Sequence, residues 1–509
     1  MAQTGTTEAE QQPVIEFLAD PATHGGAAVE RVDTHISRIF LAGDRAWKMK
    51  RALRTNYLDF TTLANREQSC RREMEVNAAA GDIYLGVVPV VRREGALHLG
   101  GAGEPVEWLV EMRRFDRERE LARLCDRGGL TRDIAEHLAD EIAQMHRAAP
   151  VTPGFGDDAD LDGRIEQIAG ALRQAAGGMA FAEGIEGWRT AAHRARIAHR
   201  DLVARRHRAG RIRRCHGDLH LGNVVMIGDR PVPFDAIEFN EAIASIDVLY
   251  DLALTLSDLL MRGHPDLANV VLNRYLGATR DYGGLPLMPL FLSMRGAVRA
   301  MTAASRGAEA EAAHDFAFAQ DALRGEGTPR LIAIGGLSGS GKSSVARGLA
   351  PQMGLLTGAV VLRSDVVRKR LAGVAPETHL PAEAYSAPVS RRVLVRMARD
   401  ARVALRAGWP VILDATFLDP QWRACAENLA ARERVPFDGI WLDLPVAAAI
   451  DRVDHRGADA SDATAEVVRS QSAQAQCPPG WQSIAGAAPL PRVLDQLRER
   501  LPRLFDQRC

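Results

Sequence analysis

Two short strings in this chain carry residue types and spacings suited to moving a phosphoryl group. The first is His216-Gly217-Asp218-Leu219-His220-Leu221-Gly222-Asn223, followed by an aspartate at position 235. Phosphoryl transfer to a hydroxyl needs a base for the hydroxyl proton, ligands for a metal ion and a cation near the donor phosphates. Asp218 supplies a carboxylate for the base. Asn223 can turn back from the same loop toward Mg²⁺, and Asp235 can add a harder carboxylate oxygen. The second string is Gly336-Leu337-Ser338-Gly339-Ser340-Gly341-Lys342-Ser343, a complete Walker A loop. Gly336, Gly339 and Gly341 let backbone N–H groups surround a phosphate. Lys342 reaches the β- and γ-phosphates, Ser343 coordinates Mg²⁺, and Ser344 extends the nucleotide-binding set. Both strings call for ATP and Mg²⁺, which proposes two nucleotide sites on one chain.

The surrounding elements must position these groups. Ser37-Arg-Ile-Phe-Leu-Ala and Ala46-Trp-Lys-Met-Lys, joined by Gly43-Asp44, read as a strand pair. Lys48 lies on the second of these strands, and Glu73 lies on a charged helix read from Leu63 to Ala80, able to pair with it. Strand periodicity puts Lys50 on the same face as Lys48, so the lysine that approaches the phosphates is left open between the two. Further strands are read at Gly86 to Val91 and from Trp108 to Met112. From Arg117 to Arg324 the pattern is largely helical, with apolar spacing over Arg132 to Ala148 and Glu186 to Arg208. A short β pair (Val224 to Ile227 and Pro231 to Phe234) follows the His216 loop.

The string HGDLHLGN with its later aspartate resembles the loop of the aminoglycoside phosphotransferase family, and the resemblance covers about residues 30 to 320. It implies a two-lobed protein-kinase-like fold with ATP in the cleft, Asp218 as base, Asn223 and Asp235 as metal ligands, and Lys48, paired with Glu73, near the phosphates. The chain departs from protein kinases in lacking a G-x-G-x-x-G loop; Thr34-His-Ile-Ser37 is the hydroxyl-bearing stretch available to cover the phosphates instead. The acidic residues Glu238, Glu241, Asp247, Asp251 and Asp258 suit a polycationic acceptor, although Asp247 and Asp251 serve equally as helix anchors.

Past Gly325-Glu-Gly-Thr-Pro329 the pattern changes to apolar runs at Leu331 to Ile334, Ala359 to Leu362, Pro410 to Leu413 and Gly439 to Leu444, alternating with helices. That is the signature of a helix-covered parallel sheet. Asp365, after the second run, is the candidate base. Asp414, ending the third, can hold the metal through water. Arg452 and Arg456, four apart, are read as lid cations on one helix face. This half is similar to the P-loop kinase-like ATPases that include gluconate kinases, zeta toxins and polynucleotide 5′-hydroxyl kinases. The order of the halves resembles that of bacterial bifunctional aminoglycoside phosphotransferase/ATP-binding proteins. The expected layout is α/β plus α+β: a disordered tail at 1–12, an N-lobe at 13–115, a helical C-lobe at 116–324, a linker at 325–329 and a P-loop α/β domain at 330–509.

Composition narrows the function further. Net charge is −1 over 509 residues, with 46% hydrophobic and 25% charged content, a balance with no global pull toward nucleic acid or membrane. The arginine-rich run from His193 to Arg214 lacks interleaved aromatics and reads as a solvated helix face. His98, His220 and His264 lack metal-ligand spacing and read as structural. The six cysteines are scattered, as in a reduced protein. The N-terminus has no signal-peptide pattern, and no apolar run is long enough to span a bilayer, so the expected location is the cytoplasm. The expectation is an ATP-dependent phosphotransferase acting on the alcohol group of a small molecule, with both halves active. The alternatives are a regulatory nucleotide sensor in one half, or a polynucleotide 5′-hydroxyl kinase-like P-loop half.

Overall fold

The computed structural model describes residues 7–55, 58–325, 328–354, 356–455 and 460–505. Strand periodicity explains the first sheet. In β2 (Ser37–Ala42) and β3 (Arg45–Lys50), Phe40, Ala42, Trp47 and Met49 point one way, and Leu41 and Ala46 the other. Both faces are therefore covered. The first packs on Val14, Ile15 and Leu18 of the Gln12–Ala19 helix. The second packs on the Leu63–Val76 helix and on a hairpin further along the chain. With β1 (Val29–Asp33), β4 (Tyr84–Arg93), β5 (Ala96–Leu99) and β6 (Glu104–Arg113), these strands form an antiparallel sheet of order β1-β2-β3-β6-β4-β5. Of the expected tail, residues 7–12 are described: Glu8 pairs with Arg38 and Arg51, and the first helix starts at Gln12.

The Leu63–Val76 helix has an unusual inward stripe. Arg66, Ser69, Cys70 and Glu73, spaced at helical period, are all buried. Thr62 caps it through the Asn65 amide at 3.2 Å. Burying charge is costly unless it is paired, and each charged member has a partner, Arg66 with Glu107 and Glu73 with two lysines. Further on, β7 (Ile212–Arg214) pairs with β10 (Ser245–Asp247), and the hairpin of β8 (Val224–Ile227) and β9 (Arg230–Pro233) lies between them in the chain. The loop from Cys215 to Asn223 connects β7 to β8.

The last sheet is wholly parallel, in the order β12-β13-β11-β14-β15. Its strands are β11 (Leu331–Gly336), β12 (Val360–Arg363), β13 (Val411–Asp414), β14 (Phe437–Asp443) and β15 (Gln482–Ala485). Every residue of β11 is buried, as expected for a central strand covered by helices on both faces. Strand order reverses beside β11, and ligands bind at such switch points in open α/β sheets.

The compact units of the structure do not divide at Gly325. One unit comprises residues 1–160 and 204–255; the other comprises 161–203 and 256–509. The P-loop sheet thus shares a unit with helices from the preceding half. The Pro265–Thr279 helix lies along the edge strand β12. Asn269 Nδ2 donates to Thr357 O (2.7 Å) and Ala359 O (3.0 Å), Asn273 Nδ2 donates to Ala359 O (3.1 Å), and Asn273 Oδ1 accepts from the Val361 amide (2.7 Å). Arg274 pairs with Glu377 at 2.7 Å. Within the 325–329 stretch, Glu326 and Gly327 lie outside the described residues. Among the described residues, no helix is long and apolar enough to cross a membrane.

Candidate functional site

In the first unit three distant segments meet. Lys48 Nζ lies 2.7 Å from Glu73 Oε1 and 2.5 Å from Asp235 Oδ1. Lys50, fully buried, bonds the other oxygen of Glu73 and Glu238. The two lysines differ in place: Lys48 is the one beside Asp235, and Lys50 sits deeper. Burial alone would push the Lys48 ammonium down, but the Asp235 and Glu73 carboxylates outweigh it and hold its pKa well above the usual lysine value. Burial likewise works to raise Glu73 and Asp235, yet the lysines keep both carboxyls below their ordinary range. Asp235 has φ +62°, a left-handed conformation that non-glycine residues adopt at a cost and that clusters at functional positions.

The loop carrying Asp218 is fixed from beneath. Asp251 accepts from the His216 amide (3.2 Å) and the Gly217 amide (2.9 Å), and His146 Nε2 touches it at 3.0 Å. The His216 ring bonds Phe234 O at 2.9 Å, next to Asp235. Burial lowers its pKa, which keeps it neutral. Asn223 Nδ2 donates to Asp218 O (2.9 Å) and Oδ2 (3.1 Å), so the amide nitrogen is committed to the loop and the amide oxygen is the atom a cation would use. An amide oxygen and a carboxylate are hard donors, so Asn223 and Asp235 fit Mg²⁺. His220, read as structural, bonds the Gly222 amide through Nδ1 (3.0 Å) and brings Nε2 to 3.6 Å from Asp218 Oδ2. The Thr34–Ser37 stretch forms the β1–β2 turn, pinned by Arg51 through the carbonyls of Thr34 and His35. Sequence reasoning missed Tyr84, whose hydroxyl accepts the Asp235 amide at 3.0 Å, and it treated Glu238 only as one of a cluster of acids. The D-x-x-E spacing after β9 was the available signal for Glu238.

In the second unit the glycine loop joins β11 to the Lys342–Leu349 helix. Gly336, Gly339 and Gly341 all have positive φ. A Cβ on Gly339 would sit 2.4 Å from Ala449 O, so only glycine fits there. Lys342 Nζ donates to Leu337 O at 2.6 Å. The Ser338 amide donates to Gln471 Oε1 at 2.9 Å, so the Ala465–Ser472 helix reaches the loop through a residue sequence reasoning did not single out. Ser343 is partly buried, and Ser344 is exposed with its hydroxyl 3.4 Å from Arg347 Nη2. Arg452 stands beside the loop, its Nη1 3.6 Å from where a Gly341 Cβ would lie and its Nη2 donating to Ala487 O. The Val446–Asp454 helix ends before position 456, and Arg456 lies outside the described residues, so the shared face expected for the two arginines is not seen.

Asp365 opens the Ser364–Ala372 helix after β12. Burial raises its pKa. Asp414 adds to the rise, while Arg363, Arg368 and Lys342 oppose it. Asp414 ends β13, is buried, and has an Oδ2 with no hydrogen-bond partner among the described residues, only Arg363 at 3.5 Å. An orphaned carboxylate oxygen and the Ser343 hydroxyl fit a Mg²⁺ held through water. Asp462 gathers Lys369 (2.7 Å), the Leu380 amide (3.0 Å) and the Tyr385 hydroxyl. Burial works to raise its pKa, and the Lys369 and Tyr385 hydrogen bonds overcome it.

Comparison with known proteins places both halves. A family model described as "Phosphotransferase enzyme family" matches residues 65–287, and one described as "AAA domain" matches 331–478. "Uncharacterized protein Rv2004c" of Mycobacterium tuberculosis (strain ATCC 25618 / H37Rv) is 31% identical over 460 residues, spanning 87% of this chain and 89% of that protein. The chain belongs to the family of this protein. "Uncharacterized protein Mb2027c" of Mycobacterium bovis matches over the same extent at the same identity. The chain joins a phosphotransferase-type kinase-like domain to a C-terminal P-loop kinase-like domain. Among solved structures, the chain is similar to the GDP and kanamycin complex of APH(2")-IIia (13% identity, 62% of this chain and 99% of that one, TM-score 0.38). It is also similar to a gluconokinase from Sinorhizobium meliloti 1021 (20% identity, 35% and 95% coverage, TM-score 0.26).

Proposed function

We propose that this family member is a bifunctional ATP-dependent kinase in which each half transfers the γ-phosphate of ATP to an alcohol group of a small molecule. The observation that carries the reading is the convergence on Asp235: Glu73, Lys48 and Asp235, from separated segments, form one ion-paired chain, and the loop that pairs Asn223 with Asp218 is tied to the residue before Asp235 through the His216 ring. In the kinase-like half Asp218 takes the hydroxyl proton, the acceptor oxygen bonds phosphorus, and the bond to the ADP oxygen breaks. Asn223 and Asp235 would hold Mg²⁺, which when bound would offset charge on the phosphates, and Lys48, oriented by Glu73, adds a cation of the protein's own. In the P-loop half the loop amides and Lys342 bind the phosphates, Ser343 and Asp414 are the residues that would hold the metal, and Asp365 is the base, with Arg452 beside the loop.

The test is separate disablement with full-length protein. Asp218→Asn and Asp365→Asn each remove a base, with an expected loss of about 10²–10⁴-fold in transfer, and each affects a different acceptor. The reading fails if both variants retain full transfer to every acceptor. A second reading makes the P-loop half a nucleotide sensor. It is favoured by the Asn269 and Asn273 contacts to β12, which tie the strand preceding Asp365 to a kinase-like helix. Under that reading Lys342→Ala changes transfer at Asp218, and Asp365→Asn abolishes no transfer of its own.

A further inference from the structure

A groove of about 930 Å³ runs along the Ala387–Arg406 helix, between it, Leu371 and the start of the Pro420–Glu433 helix. It belongs to none of the residues assigned to nucleotide binding. Four arginines line it, at 391, 392, 396 and 399, against a single acid, Asp419. Asp419 is committed to capping its own helix through the Gln421 amide at 2.8 Å. Arg396 pairs with Asp400. Arg391, Arg392 and Arg399 have no ionic partner among the described residues. Acids three or four positions away on the same helix would pair with them, and this helix offers only Asp400. Trp422 adds a partly exposed aromatic wall, and Val395 and Leu371 are 44% and 48% exposed beside it. The groove thus combines uncompensated guanidinium groups with apolar surface.

Its position gives it a role. Ser390, on the groove wall, accepts a hydrogen bond from Arg368 Nη1 at 3.3 Å. Arg368 stands one helical turn after Asp365, and Leu371 one turn later. Leu371 and the Arg368–Ser390 bond thus join the groove to the helix that carries the candidate base. Guanidinium groups pair with phosphate oxygens in two-point, charge-assisted bonds that a neutral polyol cannot supply.

We propose that the groove is the anionic subsite for the acceptor of the P-loop half, and that this acceptor carries at least one phosphate group in addition to the hydroxyl it presents. The inference rests on the kinase reading of that half. The phosphate could belong to a sugar phosphate or to a nucleotide, and the two are separated by experiment. Full-length protein, saturated with Mg²⁺ and a non-hydrolysable ATP analogue, is titrated calorimetrically with glucose, glucose 6-phosphate, adenosine and adenosine 3′-monophosphate. In at least one pair the phosphate-bearing probe binds more tightly than its parent by about tenfold or more. The Arg391→Gln/Arg399→Gln double variant, with an unchanged melting temperature, loses that advantage. The pair that responds names the source. A phosphate effect below about threefold in both pairs, or an advantage that survives in the double variant, overturns the proposal. Asp365→Asn keeps the two failures apart. It retains probe binding but not transfer if both readings hold; if it binds and still transfers at the wild-type rate, the assignment of the base falls and the groove stands.

Discussion

At the scale of single residues, the two lysines of β3 differ in consequence despite sharing a face. Lys50→Met removes the buried ionic partner of Glu238 and leaves Glu73 with Lys48 alone. Removing one partner of a buried pair costs about 3–5 kcal/mol, so this variant loses stability in a urea titration. Lys48→Met leaves Glu73 its second lysine and instead raises the KM for ATP or lowers turnover in the kinase-like half, with the smaller loss of stability of the two. Equal behaviour of the two variants in both assays contradicts this division. Asp365 presents the opposite balance. Its folded pKa is raised above the unfolded value, so it contributes most below the ordinary aspartate pKa, and that contribution is lost as pH rises through the folded pKa. At neutral pH the ionised carboxylate is a burden on the fold. Asp365→Asn therefore raises the melting temperature at pH 7.5 relative to wild type, with the gain shrinking toward pH 4, while transfer by the P-loop half is lost. The acid limb of that activity lies above the usual carboxylate range of about 4. The strings around Asp218 and Lys342 were legible because their chemistry demands residue types at fixed offsets. The different depths of the two lysines were not, because a period of two cannot rank two residues on one face; the contact with Glu238 is what sets Lys50 deeper.

At the scale of elements, the strand–loop–helix unit of the P-loop half depends on close backbone approach. Gly339→Ala places a methyl group 2.4 Å from Ala449 O at φ +82°. The expected outcome is loss of one of two bound nucleotides in equilibrium dialysis, with Asp218-dependent transfer retained; a stoichiometry unchanged from wild type refutes it. Apolar periodicity located most elements. The span Arg132–Ala148 coincides with a helix, and Ser37–Ala42 with a strand. The Leu63–Val76 helix was legible as a helix but not in its orientation. Its buried stripe is polar, so no apolar pattern pointed to the face that turns inward. The short edge strands β1, β5 and β15 were missed because few apolar residues mark an edge.

At the scale of the whole chain, the change in composition near Gly325 marks a change of fold class but not the end of a compact unit. Asn269 and Asn273 stand four apart on an otherwise apolar face, and that spacing is the signal that the helix meets something polar. Its partner, the outer backbone of β12, carries no sequence signature. Asn269→Ala/Asn273→Ala leaves the Val361 amide and the Ala359 carbonyl without these bonds, at about 1–3 kcal/mol for each buried group left unsatisfied. Hydrogen exchange at Val361 accelerates in the double variant, and a fragment of residues 330–509 melts below the full-length protein. A fragment as stable as the intact chain argues against this contribution.

The same contact has a consequence for synthesis. The chain is made from the N-terminus, and Asn273 precedes Val361 by 88 positions. At about 5–20 residues per second, the asparagine-bearing helix leaves the ribosome roughly 4–18 s before the strand it covers. A nascent β12 therefore meets a ready-made cover for its open side, and the order of the two halves protects an edge that would otherwise be free to pair with a neighbouring nascent chain. A gene with the halves exchanged would encode the same contacts but would leave that strand uncovered during the interval.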